Sequence, residues 1–416
     1  MLIRGGDIET SDIRDLFWTR GKSRVDRFRI AAEMIVNPRV VDDFGRPADA
    51  TSTFLRYEIE IGYEAATHRG TLGRLVLHSE SLDYITEGAA ATRLNFPQSV
   101  ADFRRAVVQN KRRSQAGYIS VRKATDGLTE IVVHQDGGSR GPGQVAPAVT
   151  APRTIVATSN TSATPTILAA RREMQSWRFL ALEPTAMRRP DRFQTEGIVT
   201  GSGEHLPATV NRLVAEAERN GENAENVYAR IASRVAELVP IVDLEVDVDE
   251  VRQLLTIVVQ EQSGVRLPAG SLSDGTLRFL TLAVLVSDPA ADGLVCIEEP
   301  ENGIHPAKMS EMVDLLQDLS VDAWEAPGTD NPFRQVIVAT HSPVFVQLQQ
   351  PDDLLFAIEA RVKGHDGSPA RTLRCRPLNG TWRERAGEPS VGLATILTYL
   401  STPPGAQIEI PELQAV

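Results

Sequence analysis

"LVCIEEPENGIHP", residues 294–306, begins as a core strand and ends in acid. Leu294, Val295, Cys296 and Ile297 are apolar, and Glu298, Glu299 and Glu301 follow at once. Adjacent carboxylates raise each other's cost of ionisation. Their place at the end of an apolar run needs a reward: a metal ion, a proton to accept, or both. At the C-terminal end of a parallel strand, side chains face the crevice in which such sheets bind ligands. One carboxylate there can hold Mg2+ directly or through water. Its neighbour can orient an attacking water. The plain alternative is a pair of solvated loop acids.

Around this stretch the pattern is βαβ. Periodicity predicts a helix over 273–287, a strand over 293–298, a helix over 306–319 and a strand over 335–340. That alternation implies a parallel sheet with helices packed on it. The first helix opens with "SLSDGTLRFL", residues 271–280. Ser273 can cap it, and Gly275 lets another backbone approach closely. A helix N-terminus with a serine hydroxyl is also an anion site, although an ordinary cap has the same sequence. The last strand runs into "VIVATHSPVF", residues 336–345, and ends in Thr340, His341 and Ser342. A histidine there can reach a phosphate or the water attacking it; alone it reads equally as a structural histidine. His305 either lines a dimer seam or caps the helix that starts at Pro306.

Further from the acids, the first third is strand-rich. Residues 27–36, 54–61, 73–82 and 128–135 alternate and predict antiparallel hairpins. "DGGSRGPGQVAPAVTAP", 136–152, predicts an exposed loop. Helices are expected over 163–176, 205–218 and 223–238, the last with Val227, Ile231, Val235 and Leu238 at helical spacing. Strands return over 239–248 and 252–262.

The chain has 416 residues, 42% apolar and 24% charged, an ordinary balance for a globular protein. Its net charge of −11 argues against a surface that coats nucleic acid, while leaving room for a local basic groove. The two cysteines, Cys296 and Cys375, have no neighbour at metal-ligand spacing, so zinc is not expected. The N-terminus has no apolar core of a signal peptide, and no stretch reaches bilayer-spanning length. A cytoplasmic setting without membrane contact is expected. Arg104, Arg105, Lys111, Arg112 and Arg113 cluster, as do Arg171 with Arg172 and Arg188 with Arg189. These read as solvated faces, or else as a DNA-facing or partner-facing edge.

Together, and in this order, "LSDGT", "LVCIEEPENGIHP" and "VIVATHSP" resemble the signature loop, Walker B strand and switch-histidine strand of an ABC-type ATPase head. "EEPENGIHP" is similar to the RecF-, SMC- and OLD-like bacterial ATPases with AAA-type core domains. The resemblance is strong over 265–345. It extends less closely to "SWRFLALEPTAMRRP" and "GSGEHLPATVNRL", which look like that family's lobe. It implies an α/β P-loop NTPase fold: a mixed sheet with an antiparallel β portion (1–158), an inserted helical lobe (159–238) and the C-terminal half of the ATPase core (239–416). It implies ATP and Mg2+ as cofactors. Glu298 would match the metal acid, Glu299 the residue that polarises water, and His341 the switch histidine. Ser273, Asp274 and Gly275 would match the signature residues that meet a nucleotide held by a second head, so a homodimer is expected. Output to nucleic acid or to an effector protein, in a DNA-related or defence-related system, would follow.

The family also needs a phosphate loop, G-x-x-x-x-G-K-[ST], after an N-terminal strand. The only candidate is "LFWTRGKSR", with Gly21, Lys22 and Ser23, but the required first glycine would fall on Leu16. The preceding "SDIRDLFW" reads as amphipathic helix rather than buried strand. The expectation is a chain whose first residues lie just downstream of that loop, through a coding start placed too late or a degenerate subunit. Two further readings stand beside the ATPase. One is a non-catalytic subunit that completes a partner's ATP site in trans. The other is an unrelated metal-dependent hydrolase using Glu298, Glu299 and His305.

Overall fold

The computed structural model describes residues 16–17, 19–20, 23–65, 73–125, 127–136, 144–364, 367, 369–384 and 389–401. Of the phosphate-loop candidate, Gly21 and Lys22 lie outside the described residues. The fold is mixed α/β, and the chain divides into two compact units. The first is 1–175 with two short later segments, 323–326 and 361–372; the second holds the rest.

The first unit is built on a six-stranded antiparallel sheet. In chain order its strands are β1 (Arg27–Ile35), β2 (Phe54–Glu64), β3 (Arg74–Tyr84), β4 (Ile119–Lys123), β5 (Thr129–Val133) and β6 (Gln144–Pro147), in spatial order β6-β5-β4-β3-β2-β1. Alternation decides its two faces. Leu55, Tyr57, Ile59 and Ile61 point inward with Leu77, Leu82 and Ile131, against Ile167 and Leu168 of helix α1 (Pro165–Ser176). Arg56, Glu58 and Glu60 point outward and pair across strands with Glu33, Arg29 and Arg27. Two predictions missed here. The segment 119–123 forms a strand although only Ile119 is buried, and part of the Gly/Pro-rich 136–152 segment, Gln144–Pro147, pairs with β5.

One buried acid organises this unit. Glu80 is fully buried in mid-strand, and its carboxylate accepts from the backbone N–H groups of Ile155 (2.7 Å) and Val156 (3.0 Å) and from the Tyr57 hydroxyl (3.1 Å). It thus caps the turn of helix at Ile155–Thr158. Burial raises its pKa above the ordinary glutamate value. Three of the clustered arginines are anchors, while Arg105, Lys111 and Arg113 are exposed. Arg112 is buried, donates to the carbonyls of Ala116, Gly117 and Gln135, and stacks on the Tyr118 ring at 4.0 Å. Arg171 bonds Asp43 and the Ser159 carbonyl, and Arg172 bonds Asp43 and the Val41 carbonyl.

Two sheets of the second unit share one large core. Its elements are β7 (Arg178–Leu180), α2 (Leu206–Arg219), α3 (Ala224–Ala236), β8 (Ile241–Asp249), β9 (Leu254–Glu261), α4 (Asp274–Ser287), β10 (Gly293–Glu298), α5 (Met309–Leu319), β11 (Arg334–Ala339) and α6 (Pro343–Gln347). β8 and β9 are antiparallel, and Leu244, Val246, Ile257 and Val259 bury one face in a core with Val227, Ile231 and Val235 of α3. β7, β10 and β11 form a parallel sheet in that order. Leu180, Val295 and Ile297 face the apolar flanks of α4 and α5. On the other face Phe179, Cys296 and Ile337 align in one row by register. Phe179 is 56% and Ile337 49% exposed, and among the described residues no strand pairs with the outer edge of β11.

Candidate functional site

The site lies at the C-terminal end of the parallel sheet. A cleft of about 460 Å3 is lined there by the end of β7 (Leu180 to Glu183), by Ile297 to Pro300 and Asn302 after β10, by Ala339 and His341 after β11, and by Arg278 of α4. β10 stops where its apolar run stops. Glu298 is its last residue, in register with Ala339, and its side chain is exposed. Glu299 is half-buried and holds φ +43°, a left-handed conformation costly for a residue with a side chain. It is secured by its N–H, which donates to the Ala339 carbonyl at 2.8 Å. Strain of about 1–3 kcal/mol in such a residue persists only where its surroundings over-determine it.

The loop after Glu299 is tied on all sides. Asn302 Nδ2 donates to Glu299 Oε2 at 2.6 Å, and the Asn302 N–H donates to the Glu299 carbonyl at 3.1 Å. Glu301 Oε1 accepts from the Thr340 hydroxyl, which itself accepts from the Ser342 N–H at 3.0 Å. His305 Nδ1 accepts from the Ala307 N–H at 3.2 Å, so this histidine caps the 3-10 turn Pro306–Lys308. That removes it from the Glu298, Glu299 and His305 metal set.

The signature segment packs on this loop. Ser273 caps α4, accepting from the Thr276 N–H at 3.2 Å. Gly275 sits where a Cβ would come within 2.4 Å of the Gly303 carbonyl oxygen, so only glycine lets the two backbones approach. Asp274 accepts from Arg188 Nη2 at 2.6 Å, and the same guanidinium donates to the Leu272 carbonyl at 2.9 Å. Arg188 is therefore an anchor of the signature loop. At the far end of α4, Arg334 of β11 donates to the carbonyls of Leu285 (2.9 Å), Val286 (3.3 Å) and Asp288 (3.2 Å). Burial pushes the Arg334 pKa down to about 10.

Of the residues singled out in the sequence, Glu298, Glu299 and His341 share the cleft; Ser273, Asp274 and Gly275 lie outside its lining. Ser273 and Asp274 are exposed. Sequence reading missed Arg278, Asn302 and Glu183. Only Asn302 carried a local signal, its place three residues after Glu299.

Residues 160–347 match an AAA-domain family. Its description reads "AAA domain, putative AbiEii toxin, Type IV TA system". The AAA-matching segment is a little under half the chain and contains every site residue named above. Over it the chain is similar to an AAA-type ATPase core, which supports an ATPase-type, nucleotide-binding function. No curated protein matches the chain. Among solved structures, the Smc head domain with a coiled coil and joint from Pyrococcus yayanosii is 12% identical, with 46% of this chain and 33% of that one covered, at a TM-score of 0.26. The chain thus spans about a third of that structure's length. An SmcHead bound to the C-winged helix domain of ScpA is 11% identical over 80% of this chain and 77% of that one, TM-score 0.32. The SMC head domain from Thermotoga maritima is 10% identical over 77% and 98%, TM-score 0.24. Likeness at these scores is too loose to carry an argument. No helix of the described residues is long and apolar enough to cross a membrane.

Proposed function

We propose that the chain is an ATP-hydrolysing head that acts as a nucleotide-driven dimerisation switch. The observation that carries this is the meeting of Glu298, Glu299 and His341 in one cleft at the C-terminal ends of parallel strands, inside the segment that matches the AAA-domain family. The residues fit Mg2+ at the nucleotide's phosphate end. Mg2+ is held by one or two carboxylates with waters and phosphate oxygens, not by an all-protein cage, and exposed Glu298 beside Glu299 is a donor set of that kind. When bound, the ion supplies charge neutralisation on the phosphate oxygens.

The chain's own groups divide the remaining work. Asn302 occupies Glu299 Oε2, so Oε1 is the oxygen that takes a proton from the attacking water. His341, exposed at the end of the next strand, offers an imidazole nitrogen to that water or to a phosphate oxygen. Arg278 brings a cation to the cleft. Ser273, Asp274 and Gly275 open a helix outside the lining, a position suited to nucleotide held by a second head. The family's description names a toxin–antitoxin system, which fits a defence-related role.

A second reading rests on Ser273 and Asp274, which are exposed at the start of α4 and lie outside the cleft lining. A subunit of this kind would complete a partner's site in trans, using its exposed signature segment. Calorimetry separates the two. The second reading expects ATP binding of roughly millimolar Kd or weaker, about −4 kcal/mol; micromolar, Mg2+-dependent binding supports the first. In a chain that turns ATP over, Glu299→Gln should lower turnover at least ~100-fold while ATP still binds. Unchanged steady-state hydrolysis in that variant would sink the assignment. Mixed dimers of Ser273→Arg and Glu299→Gln subunits should regain activity, since one of their two sites keeps both residues.

A further inference from the structure

We infer that Arg278 and Asn302 are positioning residues that tie the catalytic carboxylate to the signature helix. The inference rests on the ATPase reading of the site and concerns how that site is controlled. Arg278 Nη1 donates to the Asn302 carbonyl at 3.0 Å, and Asn302 Nδ2 donates to Glu299 Oε2 at 2.6 Å. Two hydrogen bonds therefore join α4 to Glu299, although 24 residues separate Arg278 from Asn302.

Three features make this link more than packing. Glu299 holds its left-handed φ of +43° and cannot keep it without outside support. The loop's other fastenings do not reach the Glu299 carboxylate: Glu299 N–H bonds Ala339 of β11, Glu301 bonds the Thr340 hydroxyl, and Gly303 lies against Gly275 of α4. The Arg278–Asn302 link alone bonds a side chain of α4 to the residue that orients the carboxylate. Moreover, Arg278 Nε is buried without a hydrogen-bond partner among the described residues. An unpaired buried donor is costly, so packing around Arg278 fixes the guanidinium together with its bond to Asn302.

The consequence is directional. Ser273 and Asp274 present the N-terminus of α4 outward, and Arg278 lies one turn further along the same helix. A shift of α4 on engaging a second head would move Arg278, then Asn302, and so set the aim of Glu299 Oε1. Misplacement of a reacting group by about 1 Å can cost on the order of 100-fold in rate. Hydrolysis is thereby made sensitive to whether the signature face is engaged.

The test combines hydrogen exchange on the 416-residue chain with kinetics. Arg278→Leu and Asn302→Ala should each speed amide exchange over 299–304 by about 10-fold and leave the melting temperature within a few degrees; Arg278→Lys, which restores one donor, should return exchange most of the way. In turnover, both losses should fall on kcat by about 10–100-fold with KM for ATP unchanged. The double variant should be little worse than either single one, as expected for residues in one chain of bonds. Unchanged exchange in both single variants, additive kcat losses, or a change in KM alone overturns the relay; the last would mean that Arg278 binds nucleotide directly. Glu299→Gln is the separate control. If it keeps turnover, or if the parent has none, the ATPase reading fails and exchange alone decides the relay.

Discussion

Glu80 is a carboxylate buried in mid-strand and Glu299 one that lines a cleft, and their partners distinguish their purposes. Glu80 is buried, and its oxygens are consumed by two backbone N–H groups and a tyrosine hydroxyl. Its role is structural. Glu299 keeps one oxygen for Asn302 and faces a cleft. A pH measurement follows from the first. The Glu80 pKa is raised above its reference value of 4.5, chiefly by burial. Between that reference and its folded value, the native state keeps a proton that the unfolded chain has released. The contribution of Glu80 is therefore complete below about pH 4.5 and declines as pH rises through the folded value. Glu80→Gln removes this slope. Urea unfolding of both proteins at pH 5 and pH 8 should show the wild type losing stability relative to the variant at the higher pH. A constant difference would show that Glu80 titrates normally.

At the scale of the element, α4 is set by both its ends. Its sequence is apolar on nearly every side, with Leu277, Phe279, Leu280, Leu282, Val284 and Leu285 all buried, as expected for a helix covered all round. Such a helix could slide without fixed termini. Ser273 closes its N-terminus and Gly275 admits the 299–303 loop. Arg334 binds three carbonyls at its C-terminal end. Replacing Arg334 with Leu removes those donors, while the Leu285 and Asp288 carbonyls keep the N–H groups of Asp288 and Ala291. The expected loss is about 2–4 kcal/mol, since hydrogen bonds to charged groups are the stronger kind. Chemical denaturation would read this directly; a loss below 1 kcal/mol would mean that water replaces the guanidinium.

For the molecule as a whole, the parallel sheet of the second unit is the feature with consequences. Parallel sheets are normally covered on both faces. Here one face carries α4 and α5, while Phe179 and Ile337 stand exposed on the other and β11 has an unpaired edge among the described residues. Exposed apolar rows and open edges invite association. The purified chain should therefore self-associate at micromolar concentration, and Phe179→Ser with Ile337→Ser should reduce the effect. Light scattering that does not differ between the two proteins would show that this face takes no part.

The amino-acid sequence by itself determined what rests on local pattern. The strand at 293–298 was legible because an apolar run stops at acid. α3 was legible because Val227, Ile231 and Val235 recur at helical spacing. Gly275 was legible as a point of close approach because no other residue would allow one. Tertiary structure alone decided what depends on partners far along the chain. Ile119–Lys123 is a strand because it has a neighbour on each side, not because its residues are apolar. Arg188 reads as surface charge until Asp274, 86 positions away, is brought beside it. Arg278 reads as one polar residue in an apolar helix until the loop after β10 folds onto it. Side-chain periodicity reports which face of an element is buried. It carries no information on which distant group a particular arginine or asparagine will meet, and that pairing sets the aim of Glu299.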